Sequence, residues 1–426
     1  MPASAPEPRQ AVDSPAMCVA GKDLLSLALI DARNHTLHLL SCYEEALGSQ
    51  ALTVPHRSGE PCVLPPLWLA GHVGWFAEWW IARNTQRAFG ADCPQRPTRL
   101  ASIAPAADFW WDPRSWSGED PALPDARWSS EAPDVAVVRS YLRDTLECTL
   151  ELLERAAETD AGLYFYRLAL FHEDLRGEQL VMCAQTLGLP LQWEPQAVAE
   201  PREPLWLPPT RWQLGSPATG FCFSQERGRL EVDVPEFEID AQPVTWQQFA
   251  EFVDDGGYDQ EALWQPAGRA WLAQQIDGRR APRHVEQIGA GRAVLRHRFG
   301  RLVQAPGHQP AMHLSWWEAD AWARWAGRRL ATEVEWEVAA HAGAHRGFRW
   351  GEVQEWTAGT LQPWPGYVAD PWSQGTDFDA AAAFGQARVV RGTSFAARAR
   401  LRSPRRRGFA LPPRDDAFIG FRTCAV

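Results

Sequence analysis

A stretch dense in proline, residues 189–212 (LPLQWEPQAVAEPREPLWLPPTRW), divides this chain into two parts of different texture. Proline fixes its own φ and brings no amide donor, so such a run reads as a linker. Upstream, apolar residues recur about every 3.6 positions, the mark of amphipathic helices. Downstream, short strand-like runs such as RLEVDVPEFEID alternate with Gly-rich turns and two short helical patterns, TWQQFAEFVDD and SWWEADAWARWAG. A chain of 426 residues is long enough for two domains, with three as the upper expectation. The expected class is therefore α followed by α+β.

Four helices are expected upstream. Residues 23–47 carry a stripe of Leu24, Leu27, Ile30, Leu37 and Leu40. Pro65-Pro66 opens a second helix, LWLAGHVGWFAEWWIARN, because proline is tolerated in a first turn. Residues 88–133 form a long irregular insertion rich in Pro, Asp and Trp. A third helix fits 134–157, with Val138, Leu142, Leu146 and Leu153 on one stripe. A fourth fits 162–187, closed by Gly188 and Pro190. Four amphipathic helices point to a bundle. The ranges are 1–21 for a disordered arm, 22–188 for the bundle, 189–212 for the linker and 213–426 for the second domain.

The formal charge of −11 argues against a non-specific nucleic-acid binder, which needs a basic face. No run of about 18 apolar residues occurs, so no membrane partner is expected. Cys18, Cys42, Cys62, Cys93, Cys148, Cys183, Cys222 and Cys424 are scattered without a C-x-x-C, against a structural zinc or a dense disulfide framework. The first 20 residues lack a basic start and a long apolar run, so no secretory signal is read and the cytoplasm is the default. With 23 Trp and 34 Pro, the chain is expected to be loop-rich, with pockets walled by aromatics.

Two histidines sit mid-helix where facing bundle helices build metal sites: His72 in AGHVGWFAEWW and His172 in LFHEDLRGEQL. The alternative is a pair of core histidines bonded to neighbouring groups. One turn beyond His172 stands Arg176, which keeps its proton and offers no lone pair. Glu178, six residues on, lies nearly opposite His172 in azimuth. Glu173 and Asp174 read best as ion-pair partners or a solvated face. Near the C-terminus, Arg398, Arg400, Arg402, Arg405, Arg406, Arg407 and Arg414 reverse the local sign of charge. They suit either an anionic ligand or pairing with the chain's acids, Asp415 and Asp416 among them.

Several motifs, in order, resemble one family. PLWLAGHVGWFAEWWIARN is similar to the first metal-binding helix of the DinB-like domain in ergothioneine sulfoxide synthases, and FHEDLRGEQL resembles that family's H-x-x-x-H-x-E helix. The second half resembles the formylglycine-generating-enzyme fold, a C-type-lectin-like α+β domain, in LGSPATGFCFSQE, PVTWQQFAEFVDDGGY, HLSWWEADAWARWAGRRLATEVEWEVAA, GEVQEWTA, VVRGTSFA and FIGFRTC. The segments WWIARN, HED and PPRDDAFIGFRTC look most like the selenoneine-synthase branch.

That resemblance implies a mononuclear nonheme iron(II) enzyme that uses O₂ to join a thiol or selenol to the imidazole C2 of hercynine, the trimethylated betaine of histidine. It implies His72 and His172 as Fe(II) ligands and Glu178 as their outer support. Trp75, Phe76 and Trp79 would wall the substrate cleft, with helix packing as their alternative role, and Arg402, Arg405, Arg407 and Gly408 would face substrate. Three positions depart from the family pattern. Arg176 stands at the third histidine, Trp364 at the tyrosine of the P-Y-P-G segment, and Gly408 at the asparagine of R-N-F-F. Two further readings follow from the departures. One is a metal-poor paralogue that binds an anionic small molecule or a protein partner; the other is an active enzyme that recruits another ligand, such as Asp174 or a residue of the long insertion.

Overall fold

The structure, a computed structural model, describes residues 12–48, 64–94, 96–115, 132–191, 193, 202–217, 219–275, 278–289 and 291–426. Four helices make the first half: α1 (Lys22–Leu47), α2 (Pro66–Ala77), α3 (Val135–Glu154) and α4 (Asp160–Leu187). They pack α1 on α4, α2 on α3 and α4, and α1 on α3. α2 starts with proline in its first turn and runs on through a π turn, Glu78–Ala82. α4 is capped by the Thr159 side chain, which accepts the Gly162 amide, and ends on Gly188 at φ 68°.

The buried face of α1 matches the stripe read from the sequence only at Leu40 and, in part, at Leu37. Leu25, Ala28, Leu29, Ala32, Thr36, Leu39, Leu40 and Tyr43 face inward. Leu24, Leu27 and Ile30 are 42%, 52% and 37% exposed. Both faces of α1 are apolar, so periodicity alone leaves the choice open. The choice follows Arg33, which is buried and must meet Glu173 on α4, with its Nε 2.9 Å from Oε1. On α3 the expected stripe faces inward at Val138, Leu142 and Leu153, whereas Leu146 is only partly buried.

Two segments expected to lack structure are partly ordered. Residues 12–20 of the expected arm hold a 3-10 turn, Pro15–Val19, with Met17 buried and the Cys18 carbonyl accepting the Phe221 amide at 2.8 Å. Burying Met17 and Val12 compensates for ordering the segment; residues 1–11 lie outside the described residues. In the expected linker, β1 (Leu205–Leu207) and β2 (Thr210–Leu214) are strands. Leu205 and Leu207 point inward and Trp206 outward. The prolines at 204, 208 and 209 stand at strand ends, where no ladder donor is needed. Residues 192 and 194–201 lie outside the described residues.

The second half adds β3 (Leu230–Val234), β4 (Phe237–Ile239), α5 (Trp246–Asp254), α6 (Pro266–Ala273), β5 (Val285–Ile288), β6 (Val294–Arg298), β7 (Arg301–Gln304), α7 (Trp316–Trp325), β8 (Arg329–Leu330), α8 (Glu333–Ala342), β9 (Gln354–Thr360), β10 (Arg388–Arg391), β11 (Arg407–Ala410), β12 (Ile419–Phe421) and β13 (Thr423–Cys424). Among the described residues these form sheets in the orders β1-β4-β13-β8, β11-β10-β9-β12, β2-β3 and β5-β6-β7. The pair β9–β12 is parallel and its neighbours β9–β10 and β10–β11 are antiparallel. Reciprocal capping boxes start α5 (Thr245 with Gln248), α7 (Ser315 with Glu318) and α8 (Thr332 with Glu335). One apolar core runs from the bundle into this half. At the seam Phe171 of α4 stacks on Phe221 with ring centres 5.3 Å apart. No described helix is long and apolar enough to cross a membrane.

Candidate functional site

α2 and α4 bring His72 and His172 together, with ring centres 5.3 Å apart. Both are buried. His72 is sandwiched between Trp68 (4.5 Å) and Trp75 (5.4 Å), and its Nδ1 lies 2.9 Å from the Trp111 carbonyl. Phe76 stacks face to face on His172 at 3.7 Å. Burial, helped by the nearby Arg176 guanidinium, pushes His72 down to about 3. The same causes and His72 itself hold His172 well below the ordinary histidine range. Both rings are therefore neutral at pH 7, the form a metal ligand needs.

The third position decides the site. Arg176 lies one turn after His172 on α4, and its Nε approaches His172 Nε2 at 3.4 Å. Its two terminal nitrogens meet Asp377 at 2.7 and 2.8 Å, and one also reaches Gln179 Oε1 at 2.7 Å. The guanidinium covers the Phe378 ring at 4.7 Å. Its side chain is 3% exposed, whereas that of Asp377 is 48% exposed. A three-nitrogen iron site needs a lone pair at position 176 and a free lone pair on His172. Neither is offered. Among the described residues no three His, Cys, Asp or Glu side chains come together as a metal site. The residues present do not fit Fe(II). Asp174 supplies no replacement, since Arg400 holds both its oxygens at 2.5 and 2.9 Å. Glu173 is likewise held by Arg33 and by Thr36 at 2.8 Å.

Beyond Arg176 and Asp377 opens a cavity of about 360 Å³ between α4 and the second half, within the range of small-molecule sites. Its wall includes the aromatics Trp68, Phe223, Trp372, Phe378 and Phe409 and the acids Glu178, Glu226 and Asp377. It also includes Arg176, Arg406, Arg407 and Arg414. Glu178 does not support the histidines. Its Oε1 accepts Gln354 at 3.0 Å and Ser394 at 2.6 Å, and Arg406 stands 3.8 Å from its Oε2. Six residues carry Glu178 about 120° round the helix from His172, and its side chain meets the second half at Gln354 and Ser394. Glu226 accepts the backbone amides of Arg407 (3.1 Å) and Phe223 (3.4 Å) and, among the described residues, meets no cation within ion-pair distance. Burial outweighs these bonds and raises it to about 7.

Several expected substrate contacts lie elsewhere. Trp75, Phe76 and Trp79 do not line the cavity. Trp75 donates to Asp108 at 2.8 Å, Phe76 packs on His172, and Trp79 carries the guanidinium groups of Arg83, Arg99 and Arg114. Their helix-packing role prevails: α2 is buried along its whole length, and Trp79, in the π turn beyond it, is half-buried and stacks on Trp75. Arg402 stacks on Trp350 at 5.0 Å and Arg405 donates to the Gly215 carbonyl, both outside the cavity wall. Arg407 and Gly408 do line the wall. Arg407 is ion-paired to Glu333 at 2.8 Å and covers Trp364 at 4.4 Å. Trp364 is buried beneath that guanidinium, outside the cavity wall. Most of the arginine cluster is paired: Arg398 with Asp31, Arg400 with Asp174, and Arg414 with Asp416 at 3.0 Å. Asp415 is taken instead by Arg279 and Arg283. Asp377, Trp372 and Glu226 went unread from the sequence. They lie on loops and in one short 3-10 turn, which carry no periodic signal.

Comparison with known proteins agrees with this architecture. The family described as the sulfatase-modifying factor enzyme 1-like domain matches residues 192–353. Hercynine oxygenase of Mycolicibacterium smegmatis is 30% identical over 94% of this chain and 98% of its own length. Hercynine oxygenase of Mycobacterium tuberculosis is 28% identical over 93% of this chain and 97% of its own. The formylglycine-generating enzyme of the same organism is 35% identical over 35% of this chain and 54% of its own. The alignment with the hercynine oxygenases runs through both halves and the seam between them, and the chain belongs to the hercynine oxygenase family.

Proposed function

We propose that the cavity between bundle and second half takes hercynine, as part of an ergothioneine- or selenoneine-type route. The observation that carries this reading is the chemistry of the wall. Hercynine is a small betaine with a quaternary ammonium, a carboxylate and an imidazole. Acids and aromatic faces suit the ammonium through charge and cation–π attraction, and Glu178, Glu226, Trp372 and Phe223 supply them together. Arg406 and Arg414 stand in the same wall for a carboxylate, of hercynine or of a thiol or selenol donor. The nearly full-length similarity to hercynine oxygenases supports the same substrate. In this reading the DinB-like bundle and the lectin-like second domain each supply one side of the pocket.

The bond-forming step of the resemblance joins sulfur or selenium to the imidazole with O₂ on Fe(II). His72 and His172 are two of the donors that such an ion would need, and position 176 withholds the third. This favours a second reading, a metal-poor member that keeps the hercynine pocket without the oxygenase step. The test is incubation of the purified protein with hercynine, O₂, Fe(II) and either a thiol or a selenol, read by mass spectrometry. Product with one donor class selects sulfur or selenium. Hercynine that binds yet is recovered unchanged in every mixture selects the metal-poor reading.

A further inference from the structure

We infer that the Arg176 guanidinium is the resident cation of the His72–His172 centre, standing where a divalent ion would be held, with Asp377 as its fixed counter-ion. This deepens the metal-poor reading, and its test does not depend on which ligand the cavity takes.

Four observations carry it. The two imidazoles lie side by side, with ring centres 5.3 Å apart. The group facing His172 Nε2 is a nitrogen bearing hydrogen, not a vacancy or an acceptor. The cation is fixed rather than passing through, because Asp377 grips it with two bonds and Gln179 adds a third. The charges are complementary. A buried guanidinium costs several kcal/mol unless it is paired and bonded, and here one carboxylate on the cavity side answers it. A metal ion would have to displace Arg176 from His172 and leave that charge beside its own. A divalent ion and a guanidinium side by side repel each other, before any loss of ligation is counted.

The pair also closes the passage between cavity and imidazoles. Arg176, Asp377 and Phe378 line the cavity, whereas His72 and His172 do not. A cavity ligand therefore meets the Asp377 carboxylate first and the histidines not at all.

The experiment is metal content per chain, by mass spectrometry, after anaerobic loading with Fe(II), Mn(II) or Zn(II) and desalting. The parent is expected to keep less than about 0.1 ion per chain. Arg176→His restores a third nitrogen and is expected to keep close to one. Arg176→Gln removes the cation but adds no strong donor. It frees Asp377 to join the two histidines, a two-His, one-carboxylate set, and is expected to keep an intermediate amount that Asp377→Asn in the same background abolishes. Close to one ion per chain in the parent overturns the inference, and so does a folded Arg176→His protein that keeps none. Should Arg176→His fail to fold, Arg176→Gln is decisive in its place: no gain over the parent overturns the inference. Hercynine binding is measured on the same parent sample by calorimetry. Its absence counts against the ligand reading alone.

Discussion

At the scale of single residues, the chemistry turns on groups whose titration the fold has moved. Glu226 shows how. Its carboxyl is raised to about 7 by burial, against an ordinary value of 4.5. Between pH 4.5 and 7 the folded protein then holds a proton that the unfolded chain has released, so this group makes stability fall as pH rises through that window. Above pH 7 the cost is fully present; below 4.5 it is gone. Glu226→Gln keeps an acceptor and removes the charge. We expect its melting temperature to exceed the parent's by about 1–3 °C at pH 8 and to match it at pH 4.5, as read by differential scanning calorimetry. An equal shift at both pH values would mean that Glu226 is neutral throughout. His72 and His172 are the residues whose placement together was most legible, from mid-helix position and aromatic neighbours. Arg176 was legible as a non-ligand, but Asp377 was not, because it is 201 residues away in the chain.

At the scale of elements, six helices were readable, α6 and α8 were not, and helix orientation was only partly so. The four bundle helices, and the capping boxes of α5 and α7, follow from local rules that act within a few residues. Which face of α1 turns inward depends on a partner 140 residues away, the Arg33–Glu173 pair, and no periodicity reports it. That pair fixes the rotation of α1 against α4. Removing one member of a buried pair strands the other, at a cost of about 3–5 kcal/mol. Glu173→Gln is expected to lose stability of that order in urea unfolding. The double variant Arg33→Met, Glu173→Leu is expected to regain most of it, since well-packed apolar residues replace such pairs at little cost. A Glu173→Gln protein as stable as the parent would remove the pair from the account of α1. β1 and β2 were hidden in a proline-rich run because prolines at strand ends look, in sequence, like prolines that forbid strands.

At the scale of the whole molecule, the two halves are joined through α4. Asp174 meets Arg400, Glu178 meets Gln354 and Ser394, and Arg176 meets Asp377, all across the seam. One helix thus meets both halves with polar and apolar side chains alike: Phe171 stacks on Phe221 at the seam, and Glu173 pairs with Arg33 inside the bundle. The two-part division was legible from texture. The cavity's place between the halves was implied by the resemblance, but most of its wall was not legible, because contacts such as Arg176–Asp377 that shape it are non-local. Arg400→Ala would strand Asp174 beneath the first segment of the chain, where Arg400 also reaches the Val12 carbonyl at 3.0 Å and Asp31 at 3.0 Å. We expect hydrogen exchange to quicken in residues 12–20 and 398–407 and in the middle of α4, with α3 unchanged. Protection that falls equally everywhere would indicate global destabilisation instead.

The measurement that tests the central claim most directly is calorimetric titration of the metal-free parent with hercynine, alongside histidine and descarboxy trimethylhistamine. The cavity assigned here predicts saturable binding of hercynine at one site per chain, at least about tenfold weaker binding of histidine, which lacks the quaternary ammonium, and a loss of hercynine affinity in Glu226→Gln. Hercynine that binds no better than histidine, or equally well to the parent and to Glu226→Gln, would contradict the account.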